Sequence, residues 1–315
     1  MSKFDITIAG EINLDLILYG LPEKMPTDRE LLASGFAITL GSSSAILAHN
    51  LAALGSRVGF VTKVGDDCFG ALAMERLRER SVDLTSVVHG AKSGVTVLLP
   101  HGTQRHILTY PGTIAELRFE ELDLSYLASA RHFHLSSMFL QRGLLSDVPE
   151  LFRRMKSSGL TTSLDTNDDP DDQWGVELEK TLPHVDILLP NEREAMRMSN
   201  SDDLETALSR LAERVKTVVV KRGASGAVAI QGGRRFSAPA VPVEVVDPVG
   251  AGDSFDAGFL HKFLSGADLA DCLTYGNLCG AFSTTNCGGT EAFRDPVRMK
   301  EFLRRPRLID SSVAD

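Results

Sequence analysis

Cysteine is scarce in this chain, and no two cysteines are spaced to grip a metal. Cys68, Cys272, Cys279 and Cys287 form no CxxC pair and no zinc-ligand spacing. They read as free thiols of a reducing compartment, since 315 residues can bury a core without disulfide staples. Runs of lysine and arginine are missing too, and the net charge is −9. Nucleic-acid binding rests on neutralising phosphates, so that class of partner is excluded. The short RRPR at 304–307 reads as a solvated tail. No long apolar run is present: Asp5, Glu11, Asn13 and Asp15 interrupt the first twenty residues. This excludes a signal peptide or membrane span there and points to the cytoplasm. The chain lacks low-complexity tracts, internal repeats and Pro/Ser-rich linkers. It also lacks GK[ST], HExxH and GxSxG, which removes Walker NTPases, zinc proteases and α/β-hydrolases.

What remains is a globular composition, 43% hydrophobic and 24% charged. Short β-rich runs alternate with helical patterns. Strands are expected at 4–10, 58–65, 130–137, 160–167, 185–191, 217–223 and 227–231. SSAILAHNLAALG (43–55) has helical spacing, with Ser42 as N-cap and Gly55 as stop. Further helices are expected near 69–80, 143–158, 202–214, 253–265 and 268–284. The fold class is therefore α/β, a mostly parallel sheet with helices on both faces.

Two stretches break the rhythm. INLDLILYG with ELLASGFAITLG, and SGVTVLLP with QRHILTYPG, are strand pairs without an intervening helix. HisGlyThr at 101–103 reads as a hairpin turn. The expectation is one domain over 1–315 carrying a small β-sheet lid built from about 12–41 and 92–111. A lid with an apolar outer face invites a partner's lid, so a homodimer is expected.

DPVGAGDSFDAGF (247–259) puts an acid at the start of a helix after two glycines and an alanine. Ligands of open α/β sheets bind beyond the carboxyl ends of the strands, often at a helix N-terminus. Gly250, Ala251 and Gly252 offer bare N–H groups, and the helix dipole adds positive potential. Asp253 is either a helix-start acid, comfortable in that field, or a base beside an anion hole. The second reading implies phosphoryl transfer without a Walker loop.

At this point the chain resembles the ribokinase-like (PfkB) carbohydrate kinases. DPVGAGDSFDAGF is similar to their second signature, and GSSSAILAHNLAALGSRVGFVTKVGDDCFG (41–70) to their first. GEINLDLI, NERE at 191–194 and KRGASG at 221–226 agree in order and spacing, from about residue 5 to 298. The resemblance implies a ribokinase-like fold, ATP and magnesium as cofactors, and a small sugar as substrate. It makes Asp253 the base and Gly250–Gly252 the anion hole. Asn13 and Asp15, which alternate onto one face of a strand, would hold sugar hydroxyls. Polar residues at a strand edge are the plain alternative. Gly41 and Ser42 occupy the paired-glycine position that lets backbone approach the sugar. Here the second glycine is Ser42, and the asparagine usual a few residues on is Ile46. Asn50, a turn later, can simply face solvent.

Asn191 and Glu194 match a motif that organises magnesium and phosphate through water, and they also fit a capping box. Lys221, Gly223 and Gly226 resemble the nucleotide loop, with Lys221 at a phosphate or at a strand end. Asn277 falls where the family lines the adenine pocket, or is a surface amide. The family's monovalent-cation site, potassium being the implied ion, maps to Asp247, Val249, Ser283, Asn286 and Gly288, largely through carbonyl oxygens. DTNDDPDDQW (165–174) looks like a calcium loop but has Pro170 where glycine is required and Val176 where Glu belongs. Relatives acting on sugar acids show D-x-N-x-R here, and Asp169 replaces that arginine. This argues against a keto-deoxy-gluconate type of substrate, although Arg105 on the lid can supply a cation. His106, His132 and His134 receive no chemical role. The expected activity is transfer of the ATP γ-phosphoryl to a primary hydroxyl of ribose, fructose or a related sugar. A nucleoside kinase, with Met138 and Phe139 near the base, is one alternative. A non-catalytic sugar or nucleotide sensor is another.

Overall fold

Runs such as ITIA and TVVVK lack polar alternation because both faces of their sheet are covered. The computed structural model describes residues 2–101 and 104–304. Its strands in chain order are β1 (Ile6–Ala9), β2 (Asn13–Tyr19), β3 (Gly35–Gly41), β4 (Val58–Val61), β5 (Lys63–Gly65) and β6 (Val88–Gly90). They continue with β7 (Gly94–His101), β8 (Gln104–Tyr110), β9 (His132–Ser136), β10 (Thr161–Asp165) and β11 (Ile187–Leu188). The last are β12 (Thr217–Lys221), β13 (Ala227–Gln231) and β14 (Arg234–Ala238).

Eight strands form the main sheet in the order β14-β13-β12-β11-β10-β9-β1-β4. Pairing is parallel from β12 to β4 and antiparallel across β12-β13-β14. One core lies on each face. Phe133, Leu151, Phe152 and Leu208 belong to one, while Ile8, Phe60, Phe259 and Leu260 belong to the other. Helix Val148–Ser157 shows why it docks: Val148, Leu151, Phe152 and Met155 make one apolar stripe and are buried. A second sheet, β3-β2-β7-β8, stands apart and is formed by the two helix-free stretches.

The structure departs from several expectations. The run 58–65 breaks at Thr62 into β4 and β5, and β5 leaves the main sheet to pair with β6. The run 185–191 yields only Ile187–Leu188 as strand. The helix expected from 143 begins at Val148 after a 3-10 turn at Leu145–Asp147. β14 was missed because RRFSA is an edge strand with polar, exposed positions. Ser42 precedes helix Ser43–Ala53, yet its hydroxyl caps nothing there. The turn residues 102 and 103, and 305–307 of RRPR, lie outside the described residues.

Candidate active site

Four parallel strands of the main sheet end in polar residues. β1 leads into Glu11, β9 ends at Ser136 followed by Ser137, β10 ends at Asp165, and β12 ends at Lys221. Helix Ala251–Leu264 starts at this same edge, since Lys221 and Asp165 meet its Asp256. Gly250 is its N-cap in the left-handed region, φ 73°. A Cβ there would lie 2.3 Å from the Gly289 Cα, so only glycine fits. Asp253 lies in the first turn and is half-buried. Burial raises its pKa, hydrogen bonds from Ser43 and Asn167 oppose that rise, and the nearby Asp165 charge adds to it.

Beneath the helix tip lies a buried ion cluster. Lys221 Nζ is 2.7 Å from Asp165 and 3.1 Å from Asp256. It also lies 3.6 Å from where a Cβ on Gly252 would stand. Burial disfavours the ammonium, but Asp165, Asp256 and Glu194 outweigh it and raise the Lys221 pKa. Burial pushes Asp256 well above the usual carboxylate range, with Lys221 only partly opposing it. Asp165 is held low, because Lys221 and a hydrogen bond from Asp256 overcome its burial. Lys221 is thus engaged by two carboxylates under the helix start, rather than standing free at a strand end.

The second sheet supplies another polar group. Asn13 donates to Thr96 Oγ1 at 2.7 Å and accepts from Ser42 Oγ at 3.1 Å, while Thr96 meets Thr109 at 3.1 Å. Gly41 lies opposite Asn13, and a Cβ there would come within 2.2 Å of Asp15 Oδ1. The glycine is therefore what lets both side chains lie over the β3 end. Ser42 follows with φ 65°, a backbone conformation that an L side chain rarely adopts. Asp15 is buried, and its pKa rises to about 7 through burial and then repulsion from Asp253 and Asp247, with Arg105 opposing. Those couplings bring Asp15, Asp253, Asp247 and Arg105 into one electrostatic neighbourhood. Arg105 and Asp15 alternate onto the same sheet face, by the registers through Thr96–Thr109. Arg105 is exposed and has no salt bridge among the described residues.

Other sequence candidates are braced by their surroundings. Asn191 and Glu194 form a capping box at helix Glu192–Met198. Both Glu194 oxygens accept from Asn191, and burial with Asp165 nearby raises its pKa to about 7. Asn277 is buried, not a surface amide, and donates to Ala238 O and Pro239 O at 3.0 and 2.9 Å. Gly223 and Gly226 flank a 3-10 turn between β12 and β13, and a Cβ on Gly226 would strike Ala238 O at 2.2 Å.

Asp247 accepts from Val249 N and Gly288 N at 2.9 Å each, joining the two segments of the cation candidate. Asn286 accepts from Arg298, and Ser283 Oγ donates to Gly289 O at 3.5 Å. These side chains hold the loops, which leaves carbonyl oxygens as the donors a monovalent cation would need; the site fits such an ion only in that form. For magnesium, no group of three or more metal-ligating side chains exists among the described residues. Glu194 fits a magnesium-bound water, not direct ligation. Asp169 accepts from the backbone N–H of Asp171, Gln173 and Trp174, so it closes a turn. Met138 and Phe139 are buried in the core, Phe139 against Trp174.

Sequence reasoning missed Asn50. It is fully buried and reaches Ser254 Oγ and Gly289 O, both at 3.0 Å. Glu11 was also passed over: it accepts from Ser44 Oγ at 2.6 Å at the same sheet edge.

With this arrangement in place, comparison with known proteins is decisive. A profile of the pfkB family carbohydrate kinases matches residues 3–295. The chain belongs to the pfkB family. As a pfkB protein it is a phosphotransferase with an alcohol group as acceptor. It is 31% identical over 289 residues to the ATP-dependent ribose-1-phosphate kinase of Halopiger xanaduensis, covering 90% of this chain and 93% of that one. It is 26% identical over 325 residues to the 5-dehydro-2-deoxygluconokinase of Clostridium perfringens, covering 97% and 94%. The solved structure of a putative ribokinase II from E. coli in complex with ATP and Mg2+ superposes with a TM-score of 0.83 at 26% identity, covering 96% of this pfkB chain and 100% of that one. The fold class is therefore ribokinase-like, as the two signatures imply.

Proposed function

We propose that this pfkB kinase transfers the γ-phosphoryl of ATP to a primary hydroxyl of a small sugar that carries an anionic substituent. The observation that carries the reading is Asp253 at a glycine-lined helix tip, in the electrostatic neighbourhood of the unpaired Asp15. Asp253 accepts the proton of the attacking hydroxyl, and burial raises its pKa, which makes it a stronger base than an exposed carboxylate. The N–H groups of the Gly250–Gly252 turn stabilise charge on the phosphoryl group in flight. Asn13, Asp15 and the Gly41–Ser42 backbone hold the sugar. The 191–194 and 221–226 segments with Asn277 take the nucleotide. Magnesium, when bound, would supply charge neutralisation on the phosphates, with Glu194 the residue that would meet it through water; a monovalent cation would be held by carbonyls of the Asp247–Val249 and Ser283–Gly288 segments. The β3-β2-β7-β8 sheet serves as a lid that limits water access.

Arg105 supports the anionic substituent, being a free cation on the same lid face as Asp15 in an otherwise acidic neighbourhood. Two relatives are named for acceptors with negative charge, a sugar phosphate and a gluconate derivative. A coupled ADP-release assay across neutral sugars, sugar phosphates, sugar acids and nucleosides tests the reading. Highest kcat/KM with a phosphorylated or carboxylated sugar is expected, and preference for a nucleoside or a neutral sugar would contradict it.

A second copy is proposed to cover the outer lid face, where Phe36, Leu108 and Tyr110 are 73%, 57% and 55% exposed. Light scattering should show a dimer that Leu108→Glu converts to monomer. A wild-type monomer at micromolar concentration would sink that proposal.

A further inference from the structure

Whatever fixes the Gly289 peptide fixes one wall of the helix tip, because Gly289 presses directly on Gly250. The Gly289 oxygen accepts from Asn50 Nδ2 at 3.0 Å, from Ser254 Oγ at 3.4 Å and from Ser283 Oγ at 3.5 Å. These donors come from three different helices. Asn50 is the shortest of them and also reaches Ser254, the residue after Asp253. One wholly buried amide therefore ties helix Ser43–Ala53 to the base-bearing helix and to the opposing turn at once.

The orientation of that amide is forced. A carbonyl oxygen can only accept, so Asn50 turns Nδ2 to Gly289 and Oδ1 to His49. His49 Nδ1 stands 2.8 Å from Oδ1 and must carry the proton. Burial first, and then the positive charges of Arg80, Arg294 and Arg76, hold the His49 pKa near 4. The ring stays a neutral donor at neutral pH.

We propose that Asn50, oriented by His49, is a positioning residue for phosphoryl transfer: it locks the Gly289 turn and the start of helix Ala251–Leu264 into one geometry. The inference rests on the phosphoryl-transfer reading for its catalytic part, while the locking itself can be measured without any substrate. The test compares wild type, Asn50→Leu and His49→Phe by hydrogen exchange of the ligand-free protein, and by kcat and KM with Mg-ATP and the best acceptor from the panel. In Asn50→Leu, amides of 250–254 and 286–291 should exchange faster while the β13–β14 hairpin is unchanged. Its kcat should fall about 100-fold with both KM values within a few-fold, since small misplacement of reacting groups has that effect. His49→Phe keeps both donor bonds of Asn50 and should shift both readouts in the same direction by less; if Asn50→Leu does not fold, this variant decides. Unchanged local exchange overturns the proposal, as does faster exchange with wild-type kcat, or a KM rise that accounts for the whole loss. If wild type phosphorylates no acceptor, the phosphoryl-transfer reading fails, and exchange still decides whether Asn50 holds the turn.

Discussion

The two ends of the site are built differently. At the helix tip nearly every polar group has a protein partner: Lys221 has two carboxylates, Asp247 has two backbone N–H groups, and Asn50 has Ser254 and Gly289. Under the second sheet Asn13 is bonded to Thr96 and Ser42, but other groups are left wanting. Asp15 is buried with a strongly raised pKa, Arg105 lacks a salt bridge, and Thr39 Oγ1 is buried without a hydrogen bond. A transferred phosphoryl group is the same for every acceptor, so its surroundings can be fixed in advance. The acceptors named for relatives differ, and under the proposed reading the acceptor end keeps unpaired groups for a ligand to satisfy.

The largest effect should come from the fixed end. Asp253→Asn removes the base while keeping shape, so kcat should fall by about 1000-fold with little change in melting temperature; stopped ADP-release kinetics measure it. A variant within a few-fold of wild type would make the two ends equivalent and remove the base assignment.

Asp15→Asn sharpens the contrast by separating binding from stability. The KM of the acceptor should rise about tenfold or more with a smaller change in kcat. The Asp15 pKa is raised to about 7 in the fold, so its ionisation opposes folding. Wild type carries no such penalty below the ordinary carboxylate pKa, and stability falls as pH rises through about 7. The variant should therefore melt higher than wild type at pH 8, with the difference vanishing toward pH 4. The acid limb of kcat/KM, expected near pH 7 in wild type from the raised Asp15, should move to lower pH.

Ser42→Gly should have the smallest effect. It relieves a residue at φ 65° but removes the bond to Asn13. Thermal melts should show a gain of about 1 kcal/mol, and the acceptor KM should change modestly. Loss of stability would mean that the hydroxyl outweighs the backbone strain.

What could be read from the sequence follows the same division. The glycine-rich turn at a helix start, the alternation of Asn13 and Asp15 along β2, and the helix-free strand pairs of the second sheet are local patterns, and those elements are present in the fold. Asn50 was illegible because its partners are 204 and 239 residues away. Lys221 was read as a phosphate contact or a strand-end residue because nothing local shows that Asp165 and Asp256 converge on it. β14 hid behind the polar composition of an edge strand, and Ser42 looked like a cap although its hydroxyl serves Asn13. Contacts within a few residues leave a pattern, whereas those made by chain crossing leave only a residue type.

The most direct test is a crystal structure with ADP, magnesium, aluminium fluoride and the preferred acceptor. The fluoride group should sit within hydrogen-bond reach of the Ala251, Gly252 and Asp253 N–H groups, with the acceptor hydroxyl between it and the Asp253 carboxylate. A fluoride group bound away from that helix start, or an acceptor hydroxyl out of reach of Asp253, would contradict the shared role of the tip as anion hole and base.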